Sequence, residues 1–331
     1  MYTSTFRRSP AIKYHFFLMN TRREFLSQSA ALAAGFMLPT LATASPAQPN
    51  VAFPANVHDR LAVASYPFRD FILPTQDTSP TAKSNPRMEI SDFAAHVSAR
   101  FHINKIEPWS HHFRSLDPKY LAGFRSALDQ ANCSVVDIAV DGEHSFYAKD
   151  AAERERAVAV NKQWVDAAVV LGSPSIRTHI ESANNQPPDL ALCADTLKRI
   201  AEYGATCNVV VHLENDDGVT EDPFFIAKLI DKVNSSWLRG LPDFGNSLMH
   251  LPPEQAYAGL EAMFARSYGI SHVKGSESTD AGAVMSVDLA YAFAILKKSA
   301  YRGYLSMEYD DVGDPYHGTD ELIAKTVSLL S

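Results

Sequence analysis

The sequence predicts an α/β fold of the (β/α)8 TIM-barrel class. Eight short β-prone runs recur along the chain with helical stretches between them, which fits the barrel count. The position after the first run holds Ser65-Tyr66-Pro67-Phe68-Arg69-Asp70, without a glycine, where an open doubly wound sheet would carry its phosphate loop. The last four runs each end in a metal-compatible side chain.

The strand-like runs span 61–66, 103–107, 134–140, 175–179, 208–214, 238–243, 270–274 and 304–309. Helical patterns lie at 118–131, 151–171, 189–203, 222–233, 253–266, 286–299 and 319–330. Asp117-Pro118, Pro188-Asp189 and Pro252-Pro253 mark helix starts, because proline's fixed φ suits a first turn and its missing N–H is not needed there. The stretch 72–87, rich in Pro, Ser and Thr, is expected to be a long loop near the barrel mouth and a candidate lid.

Residues 1–44 are expected to be a leader rather than part of the fold. Thr21-Arg22-Arg23-Glu24-Phe25-Leu26 carries a twin arginine, an apolar small-residue run covers 30–41, and Ala42-Thr43-Ala44 fits an A-x-A cleavage site. The pattern resembles a twin-arginine export signal, which implies a periplasmic or exported protein. The apolar run is too short and too rich in Ala and Gly to span a bilayer comfortably, so no stable membrane insertion is expected after cleavage. Met19, just before the arginines, competes with Met1 as the start. Residues 45–58 read as a linker, and 59–331 as one barrel of typical size.

The chain carries 30 Lys and Arg against 38 Asp and Glu, a formal charge of −8, and no basic block beyond the leader. That balance argues against nucleic acid or an anionic membrane as the main partner. Neither GxGxxG nor GxxxxGK[ST] occurs, which disfavours nucleotide cofactors. Cys133, Cys193 and Cys207 show no CxxC spacing and read as reduced, buried thiols. A homo-oligomer is compatible with the sequence.

Side chains alternate along a strand, so period two decides which share a face. His212 and Glu214 share one face of the fifth run, His272 and Lys274 one face of the seventh, and Ser306 and Glu308 one face of the eighth. Charged groups in apolar strands are costly unless paired, hydrogen-bonded or metal-bound. Taken singly, Asp243 reads as a helix cap and His272 as a satisfied core residue. Taken together, Glu214, Asp243, His272 and Glu308 converge on one point above the barrel. Three carboxylates and an imidazole suit a hard or borderline divalent ion: Mn2+ foremost, with Mg2+, Co2+ or Zn2+ as alternatives.

The order Glu, Asp, His, Glu on strands five to eight, carried by the HLEN, PDFGN, SHVKG and SMEYD segments, resembles the xylose-isomerase-like TIM-barrel superfamily of sugar phosphate isomerases and epimerases. The resemblance covers the chain from about Leu61 onward. It implies that Glu214, Asp243, His272 and Glu308 hold one divalent ion, that Glu214 and Glu308 also move a proton on opposite faces of the substrate, and that the partner is a small carbohydrate. Removing a proton next to a carbonyl creates enediolate charge, which a metal stabilises as a Lewis acid while two carboxylates take and return the proton. Two departures stand out. Asn246 occupies the position three residues after the metal Asp where these epimerases often have His, and Lys274, Ser278 and Thr279 follow His272 where an Arg is usual. The sequence also lacks the D-x-x-H and D-x-H ligands of the endonuclease IV branch, offering Asp243-Phe-Gly-Asn246 and Thr279-Asp280-Ala281 instead.

The earlier strand ends supply candidate substrate contacts. Trp109 is suited to stack on a sugar ring, and Glu107 and His111 to bond hydroxyls, against the plainer reading of a solvated loop. His144 follows strand three, and Arg177 and His179 share a face of strand four, with an interior ion pair as the alternative for Arg177. Asn246 and Lys274 join the substrate contacts, and His212, one layer below Glu214, is expected to hold it from behind. Tyr66 and Phe68 are placed to close the pocket, while Asp310, Asp311 and His317 read as exposed charges and caps. The expected activity is metal-dependent sugar isomerisation or epimerisation. Lyase or hydrolase chemistry on 3-keto-glycosides, and sugar binding without catalysis, are the alternatives.

Overall fold

Runs of two to five residues whose side chains are mostly buried form the walls of a closed barrel. The structure, a computed structural model, describes residues 48–74, 87–183, 186–216, 222–278 and 284–331. The twin-arginine segment, the expected cleavage site, Thr279 and most of the candidate lid lie outside the described residues. The barrel strands are β1 Leu61–Ala64, β2 Lys105–Glu107, β3 Ser134–Val135, β4 Ser175–Thr178, β5 Val210–Glu214, β6 Leu238–Leu241, β7 Ile270–Val273 and β8 Tyr304–Met307. The helices that follow them are α1 Ile90–Phe101, α2 Pro118–Gln130, α3 Ala151–Leu171, α4 Leu190–Cys207, α5 Pro223–Val233, α6 Pro253–Phe264, α7 Leu289–Lys298 and α8 Pro315–Leu330.

All barrel pairings are parallel. One ladder runs β3-β2-β1-β8-β7 and another β4-β5-β6. Two bridges join them into a ring. Ala139 pairs with Arg177, with Val140 N–H donating to Arg177 O at 2.9 Å, and Asp243 pairs with His272, whose N–H donates to Pro242 O at 3.1 Å. The run expected as a strand over 134–140 is regular only at Ser134–Val135 and continues in single bridges at Ala139. Within that stretch Asp137 is fully buried and bonded to His212.

Period two sorts the core. Leu61, Val63, Ile106, Ile176, Val211, Leu213, Leu238, Val273, Leu305 and Met307 face the helices and belong to the large core. Ala62, Val136, Leu241 and Ile270 form a separate small cluster inside the barrel. Asp150, Asp189, Asp222, Asp288 and Asp314 cap α3, α4, α5, α7 and α8, each accepting a first-turn backbone N–H. Asn208 and Asn234 end α4 and α5 in the left-handed conformation.

Three boundaries differ from expectation. α1 was not anticipated, although Ile90, Phe93, Ala94, Val97 and Phe101 bury one helical face. α8 begins at Pro315, four residues earlier than expected, because Asp314 and Pro315 make a start of the same kind as those already noted. The described part of the expected linker, from Gln48 onward, packs across the barrel floor. Asn50 N–H donates to Asn208 Oδ1 at 3.0 Å, Tyr268 O–H donates to Pro49 O at 3.2 Å, and Phe53 lies edge-on to Tyr268 and Tyr304. At the opposite end, Ile72–Leu73 and Met88–Glu89 pair in parallel and bracket the candidate lid.

Candidate metal centre and cavity

The C-terminal ends of β5 to β8 bring Glu214, Asp243, His272 and Glu308 together. One ligand atom from each lies within 4.8 Å of the others, and all four residues are buried. Local structure aims each group. Asp243 N–H donates to Asn215 Oδ1 at 2.8 Å, and Asp243 Oδ1 accepts from Gly245 N–H and Asn246 N–H, both at 2.7 Å. This tight turn leaves Asp243 Oδ2 buried without a hydrogen-bond partner. His272 Nδ1 is 2.7 Å from Glu214 Oε1, 3.2 Å from Glu308 Oε2 and 3.9 Å from Asp243 Oδ2. Glu214 Oε2 also lacks a hydrogen bond and has Arg177 Nε at 3.1 Å as its ion-pair partner.

The electrostatics match an anionic nest short of positive charge. Burial raises the Glu214 carboxyl to about 7, against the pull of His272 and Arg177. Burial likewise lifts Asp243 to about 7, with Lys274 opposing. Burial would raise Glu308 too, but His272 and Lys274 outweigh it and hold this carboxyl well below its usual range. Burial alone would depress Lys274, yet Asp243, Glu308 and Glu277 raise it well above the ordinary amine value. Two orphaned buried carboxylate oxygens and an oxygen-rich donor set with one imidazole fit a divalent cation.

Above this cluster opens a cavity of about 620 Å3. Of the expected substrate contacts, Trp109, His111, Arg177, His179, Asn246 and Lys274 line it, as do Glu214, Glu308 and Tyr66. Trp109 Nε1–H donates to Asp141 Oδ2 at 2.6 Å, and the His111 ring stacks on Trp109 at 4.4 Å. Arg177 makes the interior ion pairs given as its alternative, to Glu214 and to Asp141 Oδ1 at 2.8 Å, while still reaching the cavity wall. Asn246 Nδ2–H donates to Glu214 Oε1 at 3.3 Å, and its Oδ1 accepts from Lys274 Nζ at 2.7 Å.

Other expected residues sit elsewhere. His144 pairs with Glu153 on α3 and is not among the cavity-lining residues; Asp141 and Gly142, just before it, take that place. Glu107 is 1% exposed and binds His272 rather than facing the cavity. His212 lies in the barrel interior with Nδ1 3.0 Å from Asp137 Oδ1, and its bond is to that carboxylate, not to Glu214. Phe68 is fully buried in the core against Phe93, whereas Asp310, expected as an exposed charge, lines the cavity and pairs with Arg69 at 3.3 Å. Asp311 accepts from Ser276 Oγ–H at 2.8 Å, and His317 is exposed beside Glu321. Glu277, not anticipated, contacts Lys274 Nζ at 2.7 Å. Cys133 and Cys193 are buried, Cys207 is half-buried, and none of the three is in a disulfide.

A family model of xylose isomerase-like TIM barrels matches residues 98–329. The chain belongs to that family. Its likeness to solved members is one of fold. A xylose isomerase-like TIM barrel protein from Mycobacterium smegmatis, solved in complex with magnesium, is 15% identical with a TM-score of 0.59, over 82% of this chain and 98% of that one. D-allulose 3-epimerase from Methylomonas sp. is 19% identical with a TM-score of 0.60, over 85% of this chain and 99% of that one. The 3-keto-D-glucoside 4-epimerase of E. coli is 14% identical with a TM-score of 0.58, over 81% of this chain and 99% of that one. No curated protein sequence matches the chain.

Proposed function

We propose that this family member is an exported, metal-dependent carbohydrate isomerase or epimerase that moves a proton next to a carbonyl through an enediolate. One observation carries the reading: three carboxylates and an imidazole, buried and within 4.8 Å of one another, sit beneath a polar cavity at the C-terminal end of the barrel. Glu214, Asp243, His272 and Glu308 would hold the ion, Mn2+ foremost, which supplies Lewis-acid stabilisation of developing oxyanion charge.

The chain's own residues do the rest. Glu214 and Glu308 end strands on different sides of the barrel mouth, and both line the cavity, so they can address a bound sugar from two directions. One takes the proton and the other returns it. Arg177 holds Glu214 and Lys274 holds Glu308, at 3.1 Å in each case, which fixes both carboxylates before substrate arrives. Tyr66 and Trp109, ring centroids 5.1 Å apart, give one wall an apolar surface for a sugar ring.

The lining favours an uncharged substrate. Among the described lining residues, Arg69, Arg177 and Lys274 are each committed to carboxylates of the same cavity. A phosphate would have to compete with those partners, so free sugars or glycosides suit the site better than sugar phosphates. The resemblance of the first 44 residues to a twin-arginine export signal supports the same choice and an extracytoplasmic location.

Incubation of the Mn2+-loaded protein in D2O with ketoses and 3-keto-glycosides tests the reading. Deuterium should enter at the carbon next to the carbonyl, and Glu214→Gln or Glu308→Gln should slow exchange roughly 10²–10⁴-fold. An eliminated product with exchange would assign lyase chemistry to the same residues. Metal and sugar bound without exchange across the panel would leave a carbohydrate-binding barrel and refute the enzymatic reading.

A further inference from the structure

We propose that Glu107 is a positioning residue that selects which imidazole nitrogen of His272 meets the cation; the proposal rests on the metal reading above. His272 is fully buried, and both ring nitrogens are committed. Its Nε2 lies 2.8 Å from Glu107 Oε1 and 2.9 Å from Glu107 Oε2. With both oxygens of one carboxylate against it, Nε2 is placed to donate a hydrogen to Glu107. Nδ1 meets Glu214 Oε1 in the same way at 2.7 Å; a cation bound among Glu214, Asp243 and Glu308 would replace the Nδ1 hydrogen and leave the one on Nε2 with Glu107.

Glu107 is held firmly enough for this task. It ends β2, pairs with Ala64 of β1, and its backbone O accepts from Ser65 N–H at 2.9 Å. Its side chain lies across the barrel from β7, so the contact spans strands that are not neighbours. At 1% exposure it is not among the residues lining the cavity. Without this acceptor the ring would lose the contact that distinguishes its two orientations. A carboxylate behind a ligating histidine fixes tautomer and ring orientation and raises ligand basicity.

The test compares wild type with Glu107→Gln and Glu107→Leu, each stripped of metal and titrated with Mn2+ by calorimetry. Circular dichroism of the metal-free proteins checks that each is folded. Glu107→Leu should bind Mn2+ about 10–100-fold more weakly. Glu107→Gln keeps an oxygen that accepts from Nε2–H and should recover most of that loss. In Zn2+-loaded wild type, 15N NMR should show His272 metallated at Nδ1 and protonated at Nε2. Equal Mn2+ affinity in wild type and Glu107→Leu overturns the proposal, as does a glutamine variant no better than leucine, or Zn2+ on Nε2. Those results leave the metal-dependent reading intact, whereas a wild type that takes up no cation removes both. Should Glu107→Leu fail to fold, the NMR assignment in wild type and the glutamine variant still decides the matter.

Discussion

At the scale of single residues, burial decides which groups stay neutral and which are held charged. His112 illustrates the first case outside the metal cluster. Ser65 Oγ accepts from Trp109 N–H at 2.8 Å and is hydrogen-bonded to His112 Nδ1 at 2.9 Å. Burial first, then His111 and Arg69, push the imidazole down to about 3. The folded protein therefore keeps His112 neutral where the unfolded chain, with an ordinary value of about 6.5, takes up a proton. The unfolded state binds more protons between those values, so stability falls as pH drops from about 6.5 toward 3. Urea midpoints measured between pH 7 and 4 should show a shallower decline in His112→Asn than in wild type. Residue identity at strand ends made Glu214, Asp243, His272 and Glu308 legible in the sequence, because charge at the end of an apolar strand needs an explanation. The partners behind them were not legible. Glu107 to His272 and Asp137 to His212 are separated by 165 and 75 residues, and the barrel's cross-chain geometry alone brings them together.

At the scale of elements, caps and close approaches set the strand and helix ends that aim the site. Gly204 sits in the last turns of α4, where a Cβ would lie 2.4 Å from the backbone O of Val209, which leads into β5. Alanine is ordinarily the better helix residue by up to about 1 kcal/mol. Here the clash with main chain dominates, and Gly204→Ala should lose roughly 1–3 kcal/mol in urea unfolding. A variant as stable as wild type would contradict that packing. Proline-marked starts were readable because the signal is local. α1 was missed because it follows a Pro- and Ser-rich loop that masks its start, although its apolar spacing is present in the chain. β3 was read too long because apolar residues continue past Val135 while the ladder does not.

At the scale of the whole molecule, the eight-unit alternation was visible in the sequence, while ring closure rests on two bridges that no local pattern encodes. Among the described residues no helix is long and apolar enough to cross a membrane. The N-terminal approach segment, through Asn50 and Phe53, is tied to the barrel floor, away from the strand ends that carry the site. Because Glu214, Asp243 and Glu308 concentrate buried carboxylate charge, a cation that binds only the folded chain should stabilise it. Mn2+ at about a hundred times its dissociation constant should add about 2.7 kcal/mol, seen as a higher melting temperature that EDTA reverses. Anomalous diffraction from a Mn2+-soaked crystal tests most directly whether these four residues hold a cation. One strong peak is expected about 2.0–2.3 Å from oxygens of Glu214, Asp243 and Glu308 and from His272 Nδ1. No peak there, or a cation held by other residues, would contradict it.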